Sequence, residues 1–464
     1  MILLHNATIV TSEKSDIGSI LIDKDRITDV FWNEEGFTEI NGSRQPFMAL
    51  PAAIADCETV DLTGKHIIAG GIDAHVHFRD PGLTHKADME TESRAAAAGG
   101  VTTVFDMPNT TPPTITKEAL AAKIELSKGR CITNIGFHIG ASNANAEEIC
   151  RLITEGDTET GITPGDIPGV KVFMGSSTGN MLVDDSGSLE KLFKINTKPV
   201  LVHCEDEATI KANLNSAIEK YGEDIPFEEH ENIRSRQACI RSSIKALELA
   251  IKHGTKLVLC HISTKEEMEM VRAAKCSNPE IVAETSCNYL WFSNEDYKRL
   301  GSKAKCNPAI KTPADRAALR DGVRDGLIDT IGSDHAPHLL TEKDAPYCKA
   351  PSGLPSIQQT LPVLLTIARQ DEIPLTRIAS VFSEKASQLY SLERGRIASG
   401  MKADLVVFDY EKEFTVKSED QYSKCGWTPY EGAVRQQHNA GEDETQIQPR
   451  VVPRARRKDT RGDS

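Results

Sequence analysis

The sequence predicts an α/β fold: a (β/α)8 barrel carrying a small β-sandwich domain built from both chain ends. Three observations lead there. Eight short apolar runs alternate with helix-like stretches between residues 65 and 390. Nearly every run carries His, Asp, Lys or Asn at or near its end, and a barrel gathers such ends on one face. β-rich segments then flank this region on both sides. A doubly wound open sheet has the same local alternation, so the polar strand ends, rather than the periodicity, favour the barrel.

The elements follow in order. The chain has 464 residues, a length that suits one large domain with one accessory domain. Ile2–Val10, Ile17–Ile22 and Ile27–Trp32 read as strands separated by charged or Gly-containing turns, so residues 1–64 are expected to form the N-terminal part of the sandwich. The barrel, residues 65–390, draws its strands from Ile67–Val76, Val101–Met107, Asn134–Ile139, Gly169–Met174, Pro199–His203, Lys256–His261, Glu280–Thr285 and Asp329–Asp334. Helix-like segments lie between them, among them Ala87–Ala98, Lys117–Leu126, Ser235–Lys252 and Lys265–Ala274. Residues 391–432 return to β character, with a strand in Ala403–Tyr410, and complete the sandwich. Ala433–Ser464 is polar, ends in a basic run at Arg454–Lys458, and reads as a disordered tail.

Composition removes several function classes. The net charge of -14 opposes non-specific nucleic-acid binding, because phosphates would be repelled. No stretch approaches the roughly 18 apolar residues of a membrane span. Met1–Val10 lacks a basic n-region and a cleavage site, so it is not a signal peptide. Eleven cysteines, an odd number without a CxxC pair, read as reduced thiols of a cytoplasmic protein.

The chemistry sits at the strand ends. His75 and His77 are two residues apart on a strand, so both imidazoles point one way and can share a metal. His203 and His261 end the fifth and sixth runs, and Asp334 the eighth. Imidazole and carboxylate without thiolate suit zinc, with manganese, cobalt or nickel as other candidates. Four histidines and an aspartate are many ligands for one catalytic ion, and two ions need a bridge. Lys171 lies inside an apolar strand, where an ammonium is costly unless paired or neutralised. A free amine there can capture carbon dioxide and become a bidentate carbamate. Asp184 or Asp185 is the rival source of a bridging carboxylate.

With these residues placed, the sequence resembles the amidohydrolase superfamily and, within it, the dihydroorotases. The resemblance runs from about Met1 to Gly432. It rests on Asp73–Gly82 (DAHVHFRDPG), Asp106–Thr110 (DMPNT), Val202–Glu205 (VHCE), His261–Thr264 (HIST), Asn307–Ile310 (NPAI) and Gly332–His338 (GSDHAPH). It implies a barrel centred on two zinc ions per chain. His75, His77 and Asp334 would bind the more buried ion, His203 and His261 the other, and carboxylated Lys171 would bridge them. Arg79, Asn109 and His338 would grip a substrate carboxylate, with Asn307 and the Gly353–Leu354 loop against the ring. The implied reaction is reversible closure of N-carbamoyl-L-aspartate to L-dihydroorotate in pyrimidine synthesis, with Asp334 moving the proton. A homodimer is common in the family, and the resemblance leaves open an aspartate transcarbamoylase partner.

Two departures stand out. Many members carry His-His-Leu where this chain has Cys287-Asn288-Tyr289-Leu290. Relatives also continue with β-strands after the Trp427–Pro429 region, whereas Ala433–Ser464 shows no such pattern; a reading-frame change near Gly432 would account for the shift. The alternative functions are a dihydropyrimidinase, hydantoinase or allantoinase, which share the metal set without needing a carboxylate grip, and a non-catalytic paralogue serving as a binding module.

Overall fold

The computed structural model describes residues 1–32, 37–40, 43–46, 57–175 and 181–436, with backbone only for 37–40, 43–46 and Gln436. Ile2–Val10, Ser15–Asp23 and Arg26–Trp32 pair antiparallel in sequence order. Glu58–Asp61 and His66–Ala69 then pair parallel to Ile2–Val10. Leu405–Phe408, from the other end of the chain, closes this six-stranded sheet against His66–Ala69. Ala7, Ile9, Ile20, Ile22, Ile27, Ile67, Ala69 and Ile397 form its core. Residues of strongly β-forming type thus bring the two ends of the chain together.

The apolar run Ile67–Val76 proves to be two strands. Ile67–Ala69 belongs to the small sheet, and the first barrel strand is Gly71–Val76. The break falls at two glycines where the domains touch. A Cβ on Gly70 would sit 2.3 Å from the Thr102 hydroxyl, and one on Gly71 2.4 Å from the Phe382 ring. Apolar periodicity is blind to such a crossing, because both strands are buried.

The barrel follows as Gly71–Val76, Val101–Asp106, Asn134–Gly140 (broken at His138), Val170–Phe173, Val200–His203, Leu257–Leu259, Val282–Thr285 and Thr330–Ile331, all neighbours parallel. It closes where Val76 bridges His335 and the His77 N–H donates to His335 O at 2.8 Å. Helices begin at sequence-encoded caps. Asp88, Thr116, Thr264 and Thr312 each accept a backbone N–H of the first turn of Met89–Ala98, Lys117–Ser127, Lys265–Ser277 and Pro313–Asp325. Each cap is worth about 1 kcal/mol. The main core fills the barrel wall and the helix-facing side.

The C-terminal reading needs a correction. Val434–Gln436 is a strand paired with Glu413–Thr415. Arg435 is fully buried, its guanidinium 3.4 Å from the centre of the Trp291 ring. Ordered chain therefore extends at least to Gln436, because a stacked cation compensates for the lack of apolar residues. The tail beyond Gln436 lies outside the described residues, as does the reading-frame question.

Candidate active site

The strand ends converge as a barrel requires. His75 Nε2 and His77 Nε2 lie 3.5 and 3.1 Å from Asp334 Oδ1. Donors tetrahedral about one zinc are spaced about 3.3 Å apart, so these three fit one ion. The outer nitrogens are occupied: His75 Nδ1 donates to Glu284 Oε1 and His77 Nδ1 to Asn109 Oδ1, both at 2.7 Å. Both rings are therefore Nδ1–H tautomers with their Nε2 lone pairs turned inward. His75, Cys260 and Glu284 also cluster closely enough to hold an ion. That grouping would take His75 by Nδ1, the nitrogen already committed to Glu284, so the Asp334 grouping is the better ligand set.

The second half is assembled differently. His203 Nδ1 and His261 Nε2 face one another at 2.9 Å. The His77, His75, His261 and His203 rings form a chain with successive centroid separations of 5.6, 5.3 and 4.8 Å. The outer nitrogens, His203 Nε2 and His261 Nδ1, have no hydrogen bond. Glu205 Oε2 comes within 3.0 Å of His203 Nε2 without making one, and pairs instead with Arg234. Lys171 is fully buried, donates to Cys260 Sγ at 3.4 Å, and has no carboxylate within ion-pair distance among the described residues. Its charge acts on His75, His261 and Glu284, which places it in the cluster.

Electrostatics suit ligation. Burial holds the His75 and His261 imidazoles well below their ordinary range, so both are neutral with lone pairs available. Burial pushes the Asp334 carboxyl up, but the neighbouring His77, His75 and His261 rings outweigh it and hold the group ionised. Burial raises Glu284 to about 7, with Lys171 opposing. The donor set, its orphaned buried nitrogens and its ionised carboxylate fit a divalent metal.

Backbone geometry aims these groups. Among the described residues seven non-glycine residues have positive φ, and three are Arg79 (63°), His261 (39°) and Asp334 (49°). Each such conformation costs about 1–3 kcal/mol and persists only where its surroundings enforce it. Asp73 Oδ1 helps, accepting from the His75 and Ser333 N–H groups at 3.0 and 3.1 Å.

Beside the ligands, Arg79 is buried. Its Nε donates to Pro337 O at 3.1 Å, and Nη2 lies 2.9 Å from His338 Nε2. It has no ion-pair partner among the described residues. The Gly353–Leu354 loop approaches here: a Cβ on Gly353 (φ 140°) would sit 2.4 Å from Ala336 O and 3.0 Å from His338 Cδ2. Leu354 itself is fully buried, and its carbonyl accepts from the Ala336 N–H, so its side chain packs in the core. Gly353 N–H donates to Lys305 O, which brings the Asn307 segment alongside; Asn307 Oδ1 is buried without a partner.

The structure corrects some of the sequence reading. Asp184 and Asp185 are exposed; Asp184 accepts from Asn143, and Asp185 caps the helix Ser186–Phe193, so neither reaches the cluster. Asn288, where relatives have histidine, is buried and accepts from Tyr430 Oη at 2.8 Å, while Tyr289 Oη donates to Pro308 O. The departure is absorbed by the C-terminal segment. Sequence reasoning gave no role to Glu284, Asp73, Lys86 or Trp427. Glu284 lies one residue from the end of the seventh run and shared the signal of the other strand ends. Trp427, which donates to His338 O at 2.7 Å, gave none.

Comparison with known proteins identifies the family. Residues 66–434 match the Amidohydrolase family. A dihydroorotase of Methanosarcina mazei is 34% identical over 385 residues, covering 80% of this chain and 81% of its own. One from Staphylococcus epidermidis is 31% identical, covering 85% and 90%. The L-hydantoinase of Arthrobacter aurescens shares the fold at a TM-score of 0.83 and 24% identity, covering 94% of this chain and 92% of its own. No helix among the described residues is long and apolar enough to cross a membrane.

Proposed function

The chain belongs to the amidohydrolase family and is a cyclic amidohydrolase, and from that premise we propose that it is a dihydroorotase, interconverting N-carbamoyl-L-aspartate and L-dihydroorotate. One observation carries the choice of substrate. Arg79 is a buried guanidinium beside the ligand cluster with no carboxylate partner among the described residues. A buried unpaired charge is expensive, and a substrate carboxylate would neutralise it with a planar fork of donors. Uncharged hydantoin or dihydrouracil rings would leave it unpaired.

His75, His77 and Asp334 would hold one zinc ion and His203 and His261 a second, with Lys171, as its carbamate, between them. Metal bound there would lower the pKa of water toward neutrality and polarise the ring carbonyl. Asp334 is the proton carrier: ionised in the resting site, it takes the proton of the attacking water and returns it to the leaving amide nitrogen. Arg79 and His338 bind the carboxylate and so select the carbonyl presented to Asp334. Asn109, which steadies His77 through its carbonyl oxygen, is the third member of this grip. Asn307 and the Gly353–Leu354 backbone lie along the ring.

The test is hydrolysis of dihydroorotate by the zinc-loaded chain, with hydantoin and dihydrouracil alongside. Turnover of dihydroorotate alone, lost on chelation, is the expected result. Turnover of only the uncharged rings would reassign the enzyme as a hydantoinase. Metal binding without any turnover would favour a non-catalytic relative.

A further inference from the structure

The grip on the carboxylate depends on where one proton sits. His338 Nε2 lies 2.9 Å from Arg79 Nη2 and 3.1 Å from Ser352 O, and Nδ1 lies 3.1 Å from Lys86 Nζ. A neutral imidazole has one N–H and one lone pair, whereas an ammonium offers only protons. Both ring nitrogens face a cation, and the Ser352 carbonyl beside Nε2 decides between them: Nδ1 accepts from Lys86, and the ring N–H sits on Nε2 and donates to Ser352 O. The guanidinium too offers only protons. Nε2–H and Arg79 Nη2–H thus face each other as two donors, an arrangement that an anionic oxygen placed there would relieve.

We propose that Lys86 is a positioning residue for substrate recognition: it fixes His338 as the Nε2–H tautomer, so that His338 and Arg79 present paired donors to a carboxylate. This rests on the dihydroorotase reading, since an uncharged ring would not need the pair. Lys86 is itself held by Glu342, with Nζ 2.8 Å from Oε1, and Glu342 Oε2 stands 3.7 Å from His338 Nδ1. Trp427 pins the His338 backbone. The charged groups facing His338 are Arg79, Lys86, Lys343 and Glu342, with His85 3.9 Å from Glu342. Burial, then the cations, keep the imidazole neutral.

Without the ammonium, Glu342 would close on Nδ1 and draw the proton there, turning the Nε2 lone pair toward the substrate. The test compares the zinc-loaded enzyme with Lys86→Met and Lys86→Arg. Long-range 15N–1H spectra of labelled histidines, with His338→Gln to assign the signal, read the tautomer without any assay. The expected result is Nε2–H in the parent and in Lys86→Arg, and Nδ1–H in Lys86→Met. The KM for dihydroorotate in Lys86→Met should rise about tenfold at pH 8 with kcat little changed. An unchanged tautomer in Lys86→Met, or an unchanged KM for dihydroorotate, would overturn the proposal. If the parent hydrolyses only uncharged rings, the dihydroorotase reading fails, while the spectra still judge control of the tautomer.

Discussion

The two halves of the ligand cluster are built in different ways. On the first and eighth strands, His75 and His77 have their outer nitrogens fixed by Glu284 and Asn109, and their inner nitrogens point at an ionised Asp334. On the fourth to sixth strands, His203 and His261 leave their outer nitrogens unbonded, and among the described residues Lys171 has only a thiol for a hydrogen-bond partner. The protein therefore organises the first half by itself. The second half relies on what it binds, because a buried lysine without a counter-ion among the described residues needs an external charge to complete it.

That contrast can be broken by substitution. Asp334→Asn should cost turnover roughly 10³-fold or more while metal content by elemental analysis stays largely intact. Near-normal activity would remove Asp334 from proton transfer. Lys171→Ala should next empty the less organised half, lowering bound metal by about half, and a short added carboxylate should restore part of the activity. Retention of full metal content would mean that Lys171 is no bridge. Glu284→Gln should weaken metal affinity about 10–100-fold by loosening the His75 tautomer, measured by competition with a chelator. No change would show that the first half is not held from outside. The smallest effect is expected at the distant support: Tyr430→Phe strands Asn288 Oδ1 and should lower stability by about 1–3 kcal/mol in denaturant melts, with kcat near that of the parent. A large loss of activity would instead tie Asn288 to the chemistry.

Much of this was legible in the sequence. Alternation gave the strands, and the helices Lys117–Ser127 and Arg236–His253 lie within a residue of their expected bounds, because caps and apolar periodicity are local properties. The five candidate ligands stand at strand ends, which barrel closure brings together. The split at Gly70–Gly71 was not legible, since two buried strands in different sheets share one apolar pattern. Nor was the ordered segment to Gln436, whose anchor is Arg435 on Trp291, a contact between residues 144 positions apart.

The sequence by itself determined the residue types at the barrel mouth, the spacing that lets His75 and His77 share a face, and the starts of the capped helices. Only the tertiary structure decided which nitrogen of each histidine faces inward, that Asp184 and Asp185 stay outside, and that Arg79, His261 and Asp334 adopt left-handed backbone conformations. The physical reason is range. Propensity and periodicity act over a few residues. A tautomer is set by a partner far along the chain, as Glu284 sets that of His75, and a strained backbone survives only where packing from several strands outweighs its cost.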